Sequence, residues 1–364
     1  MSRQALVCLC FLALSACTTV TTSSTGYPPT DTTSACGTGS CTDVGIPDVT
    51  APDTQAQDVA AGDIKLDSAP AETVSSGGVE MYSFAPSMTD PFITAFNEPH
   101  LAFYAAGSNI QHKLVVFLGG VGTKPSDYKE FCNDAALQGY HVLALSYPND
   151  IALSDLCGDN LSCYDVVRQE YLDGVDHTDK VDISKYNSIS NRITKALIWL
   201  DKYHTGKGWG DFFFGMSPNW SYIGLVGHSL GGGHAAMIAK LYKVRRVGLM
   251  AAVLDGGKAG SADWLSGSHA TDVNAYVGFV HKQDPNYNLI LGSWTALGMG
   301  GSANLVDADA TPPPYLNDQE LTTAAQVADP HGGVALDAAT PHETDGTPKF
   351  GAVWQHMVGK VPSL

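Results

Sequence analysis

Positive charge is scarce in this chain. Its 364 residues include 20 lysines and arginines against 37 aspartates and glutamates, for a formal net charge of −17. A nucleic-acid binder needs a basic face, so that class is disfavoured, while the chemistry of a small substrate stays open. No apolar run approaches the ~20 residues that cross a bilayer. The run Leu6 to Ala16 covers 11 residues. The eight cysteines are not spaced like a zinc site. From Thr18 to about Gly78 there is no sustained apolar period. That stretch is rich in Thr, Ser, Ala, Asp, Pro and Gly, and it cannot bury enough apolar surface to offset the entropy of ordering.

The N-terminus reads as a targeting segment. Arg3 precedes the apolar run, which ends Leu14-Ser15-Ala16-Cys17. This ending resembles a bacterial lipoprotein lipobox, and the resemblance implies cleavage before Cys17, a lipid on that cysteine and anchoring to a membrane. An ordinary signal peptide with an incidental cysteine is the alternative. Thr18, not Asp, follows the cysteine, so inner-membrane retention is not indicated. The expected location is the outer membrane, facing the periplasm or the cell surface. The expected organisation is a signal peptide over 1–16, a flexible tether over 17–78 and one folded domain over 79–364. Cys8 and Cys10 leave with the signal. The close pairs Cys36/Cys41 and Cys157/Cys163 could each close a short loop in an oxidising compartment. Other pairings stay open, and Cys132 is left alone on a helical pattern.

Beyond Val79 the apolar pattern alternates between strand and helix. Leu101 to Ala105, Lys113 to Leu118, His141 to Ser146, Tyr222 to Val226, Leu249 to Leu254 and Ala275 to Val280 read as strands. Tyr128 to Gln138, Ile189 to His204, Gly232 to Tyr242 and Phe350 to Val358 read as helices. This rhythm predicts an α/β fold, a mostly parallel sheet covered on both faces. Asp150 to Lys185 interrupts it as an acidic loop that would cap the carboxyl edge of the sheet. The aromatics from Trp209 to Trp220 would either rim the site as a lid or pack on the core.

The pentapeptide Gly227-His228-Ser229-Leu230-Gly231 lies between a strand and a helix. It matches the G-x-S-x-G nucleophile elbow, a sharp turn that lifts a serine hydroxyl above the sheet. A serine needs a base to take its proton, normally a histidine oriented by a carboxylate. Asp284, in a loop after the last strand, is the expected acid, with Asp255 as rival. His331, in Asp329-Pro330-His331-Gly332-Gly333, is the expected base, with His342, His356 and His281 as rivals. His228 should project away from the serine, and His234 should pack or cap. The N–H of Leu230, at the helix start, and one from the glycine-rich loop Gly119 to Gly122 would receive a developing oxyanion. Gly120 is the first choice there and Val121 the next. Asp127, Tyr128 and Tyr147 are expected near the pocket.

With these motifs the chain resembles the α/β-hydrolase superfamily, in particular its lipases and esterases. The likeness covers about Val79 to Leu364. It implies acyl transfer from a small-molecule or lipid ester through a Ser-His-Asp triad and an acyl-enzyme, with no metal or organic cofactor. An amidase, peptidase or acyltransferase with the same triad, or an inactive surface protein on the same fold, are the alternatives. Oligomeric state is left open.

Overall fold

The computed structural model describes residues 73–359 except 108 and 301–304, and all of these lie in one compact unit. Cys17, Cys36 and Cys41, the signal segment and nearly all of the tether fall outside the described residues.

The central strands are short, almost continuous apolar runs, which suits a sheet buried on both faces. They are β4 (Leu114–Leu118), β5 (His141–Leu145), β6 (Ile223–His228), β7 (Arg246–Met250) and β8 (Tyr276–His281), and every residue in them is buried. Two short strands, β9 (Val306–Asp307) and β10 (Glu320–Thr323), extend one edge. At the other edge lie β1 (Thr73–Ser76), β2 (Val79–Phe84) and β3 (His100–Ala105). The order is β1-β2-β3-β5-β4-β6-β7-β8-β10-β9. The first three strands pair antiparallel and the other seven run parallel. This mostly parallel sheet, flanked by helices, is the α/β-hydrolase fold.

The helices are α1 (Pro86–Thr89), α2 (Lys129–Leu137), α3 (Leu153–Cys157), α4 (Cys163–Asp173), α5 (Ile189–Tyr203), α6 (Leu230–Leu241), α7 (Tyr287–Leu297) and α8 (Gly351–Val358). α6 packs on β6 and β7 with α4 beside it, while α8 packs against β7 with α2 beside it. Long-range caps tie these layers together. Asp337 accepts the N–H groups of Lys129 and Glu130 at the start of α2. Arg245 and Arg246 donate to carbonyls from His356 to Gly359 at the end of α8, where a helix leaves acceptors unpaired.

Several expectations shift. The sheet begins at Thr73, inside the stretch read as tether. The strand expected over Leu249 to Leu254 is displaced to Arg246–Met250, because Ala251 turns to φ 47° and the chain leaves the sheet there. The excursion from Asp150 to Lys185 is more than a loop. It carries α3 and α4, linked by the Cys157–Cys163 disulfide. Cys132 is a free, buried thiol on α2. Trp209 and Phe212 are buried against Tyr82 and His141, and their segment enters β6 at the end away from Ser229. They are core residues, not a lid. Among the described residues no helix is long and apolar enough to cross a membrane.

Candidate active site

Ser229 stands where β6 ends and α6 begins. Its φ of 54° and ψ of −118° lie in a region that residues with a side chain rarely adopt. Crowding holds it there. A Cβ on Gly227 would sit 2.3 Å from the Gly231 carbonyl, and one on Gly231 would sit 2.1 Å from the Leu118 carbonyl oxygen. Only glycines let strand, turn and helix approach this closely. The Ser229 N–H donates to Met250 O at 2.9 Å, and the Ser229 carbonyl accepts from Gly232 and Gly233 in the first turn of α6.

Ser229, Asp284 and His331 meet at the carboxyl edge of the sheet. Ser229 Oγ is 2.9 Å from His331 Nε2, and His331 Nδ1 is 2.8 Å from Asp284 Oδ2. Both bonds form together when Nδ1–H donates to the carboxylate, which leaves Nε2 to accept from the hydroxyl. The second Asp284 oxygen accepts the Asn286 N–H at 2.7 Å. The Asp284 carboxylate is fully buried, whereas the His331 ring is 26% exposed, so solvent reaches the base but not its orienter. The His331 loop is fastened from two sides. Asp329 Oδ1 accepts the His331 N–H, and Trp354 of α8 donates to the Val334 carbonyl. The arrangement is consistent with a Ser-His-Asp triad for ester hydrolysis.

The rivals have other employment. Asp255 forms a buried, two-pronged ion pair with Arg168, each bond 2.5 Å, and also accepts from Trp264 Nε1 at 2.8 Å. His342 pairs with Glu130, His356 with the Asp318 carbonyl and His281 with the Ala325 carbonyl. His234 is buried against Tyr147 and Tyr171.

Gly120 requires a correction. Its N–H donates to the buried Tyr128 hydroxyl at 2.9 Å, so it is not available to an oxyanion. The N–H groups of Val121 and Leu230 have no hydrogen-bond partner among the described residues, and both residues line the cleft that contains Ser229. The glycine at 120 has a packing reason instead, since a Cβ there would meet His228 Nδ1 at 3.0 Å and Ser229 Cβ at 3.3 Å. The loop around it is held by Asn149, whose amide donates to the carbonyls of Gly120 and Thr123, and by Tyr147, whose hydroxyl donates to Gly119 O. Tyr128 and Tyr147 therefore brace this loop from beneath, and Asp127 caps the turn at Lys124. Sequence patterns do not single out Asn149, whose signal is only a polar residue directly after Tyr147-Pro148.

His228 points away from Ser229 but is not idle. Its Nε2 donates to the His331 carbonyl at 3.1 Å, and its Nδ1 lies 3.0 Å from the Tyr128 hydroxyl. Burial, followed by the neighbouring His331, pushes its imidazole down to about 4, so it is neutral at pH 7. Elbow, glycine-rich loop and histidine loop are thus joined through His228 and Tyr128 by one chain of bonds. Arg168 also escapes sequence reasoning. It lies in the acidic excursion, its role set by the carboxylate 87 residues away.

Among the described residues no group of three or more His, Cys, Asp or Glu side chains could hold a metal ion. In comparisons with known proteins, no family model matches the chain, and no curated protein matches it.

Proposed function

We propose that this protein is a serine hydrolase that cleaves carboxylic esters, with Ser229 as nucleophile, His331 as base and Asp284 as orienter. The supporting observation is the continuous hydrogen-bonded chain from Ser229 Oγ through the His331 ring to the buried Asp284 carboxylate. In the first step Ser229 Oγ bonds to the ester carbonyl carbon while its proton passes to His331 Nε2. The resulting imidazolium is stabilised by Asp284, and the oxyanion by the N–H groups of Leu230 and Val121. As the C–O bond to the alcohol breaks, Nε2 returns the proton to the leaving oxygen. Water, deprotonated by the same nitrogen, then attacks the acyl-enzyme, and Ser229 recovers its proton as the carboxylic acid departs. Leu230 also stands at the N-terminus of α6, where the helix dipole favours negative charge.

The same reading covers the N-terminal end of the chain. Arg3, the run to Ala16 and Leu14-Ser15-Ala16-Cys17 support export as a lipoprotein anchored through Cys17, facing the periplasm or cell surface at the outer membrane. The Cys157–Cys163 disulfide suits an oxidising compartment. An intact mass of membrane-extracted protein that begins at Cys17 and carries acyl chains is the expected result.

Labelling with a fluorophosphonate probe tests the triad. Wild type is labelled, S229A is not, H331A is nearly silent and H356A keeps most of the signal. Labelling lost in a folded H356A, with H331A unaffected, would overturn the choice of base.

A further inference from the structure

The cleft beside Ser229 constrains the acyl group. Its walls come from Val121, Leu153, Arg168, Leu230, Leu254 and Asp255, and its volume is about 60 Å³. Pockets that enclose drug-sized ligands run to roughly 300–1,000 Å³. An apolar cavity of about 150 Å³ holds benzene, with its six carbons. By proportion, the enclosed part of this half-open cleft has room for about two or three carbon atoms.

The far wall is built not to yield. Leu153 opens α3, which continues through the Cys157–Cys163 disulfide into α4. From α4, Arg168 reaches across to Asp255 with two bonds and to the Leu230 carbonyl with a third at 3.2 Å. The loop between the two helices and the first turn of α4 are pinned to the same segment. Asp159 accepts the Lys258 N–H at 2.9 Å, and the Tyr164 hydroxyl lies 3.0 Å from Gly256 O. Swinging this wall outward to admit a longer chain would separate a guanidinium and a carboxylate that are each 1% exposed. Arg168 packs so tightly on α6 that a Cβ on Gly233 would overlap its guanidinium. Because Asp255 neutralises Arg168, the described residues that line the cleft offer no free cation to an anionic acyl group.

On the reading that Ser229 is an esterase nucleophile, we infer that the substrate carries a short, uncharged acyl group of the acetyl or propionyl class, with Leu153 and Leu254 setting the limit. The enzyme is then a short-chain deacylase, not a lipase for long-chain fatty esters.

The test is a series of p-nitrophenyl esters from acetate to octanoate, run on the disulfide-intact protein beside fluorophosphonate labelling. The expected kcat/KM peaks at acetate or propionate and falls at least tenfold by hexanoate. L153A and L254A should each move the optimum to butyrate or longer. Leu254 is only partly buried, so L254A probes the wall even where L153A fails to fold. Octanoate or hexanoate cleaved by wild type as well as acetate, or labelling at Ser229 without turnover of acetate, overturns the inference and leaves the nucleophile assignment intact. No labelling and no hydrolysis of any ester overturns both.

Discussion

Asp284 and Asp255 are the two candidate acids beyond the nucleophile, and exchanging each for asparagine should produce opposite phenotypes. In D284N the remaining oxygen can still accept the Asn286 N–H, so the loop keeps its shape. The group facing His331 Nδ1 becomes an amide donor at a position 2.8 Å away. The imidazole must then move its proton to Nε2, where it faces Ser229 Oγ and can no longer accept from it. An orienting aspartate lost in this way lowers kcat by about 10⁴, equivalent to about 5 kcal/mol of barrier, with little change in folding. D255N acts on a different quantity. Arg168 and Asp255 are each 1% exposed, and the neutral amide leaves the guanidinium buried without a counter-charge. Breaking one side of such a pair costs about 3–5 kcal/mol of stability, which for a domain of this size lowers the melting temperature by on the order of 10 °C. The assay is kcat on p-nitrophenyl acetate together with a thermal melt for both variants at one pH. A D255N protein that melts like wild type but is inactive, beside a D284N protein that retains its rate, would refute this assignment of acid and strut.

Val121→Pro removes the N–H proposed to face the oxyanion at an exposed position where that N–H makes no hydrogen bond among the described residues. It should lower kcat by about 10²–10³ while the melt is nearly unchanged, and an unaffected kcat would move the donor elsewhere. His228 sets a pH dependence of stability. Its imidazole lies near 4 when folded and near 6.5 when unfolded, so between these values the unfolded chain holds a proton that the native state does not. The resulting stability is complete above about pH 6.5 and is lost as pH falls towards 4, by at most about 3 kcal/mol. His228→Gln has no such titration, so its melting curve should approach that of wild type over this range. Asp337, pushed up to about 6 by burial, titrates in the opposite sense in both proteins and cancels from the comparison. Two curves that stay parallel from pH 6.5 to 4 would refute the role.

Much of the site is legible in the order of the amino acids because its signals are local. The elbow's sequence mark lies within five residues: Gly227 must be a glycine because the backbone at Gly231 and Gly232 crowds it, although Gly231 is crowded from further off by Leu118. The central strands announce themselves because a segment buried on both faces must be apolar throughout. The polar strand β10, Glu-Leu-Thr-Thr, carries no such mark, since its burial comes from neighbours and not from its own composition. The distant choices are equally hidden. Asp284 and Asp255 look alike in the chain, each in a turn beyond a strand. They differ because Arg168, on a helix of the cap, reaches one and His331, on a late loop, reaches the other. Gly120 and Val121 are adjacent, and a Tyr128 hydroxyl arriving from the following helical turn takes the first N–H and leaves the second free. Which residue types can do the chemistry is a property of short-range sterics and is written in the chain itself. Which of two equivalent groups is free to do it depends on the long-range partner that packing brings within 3 Å, and that partner is chosen only when the whole domain closes.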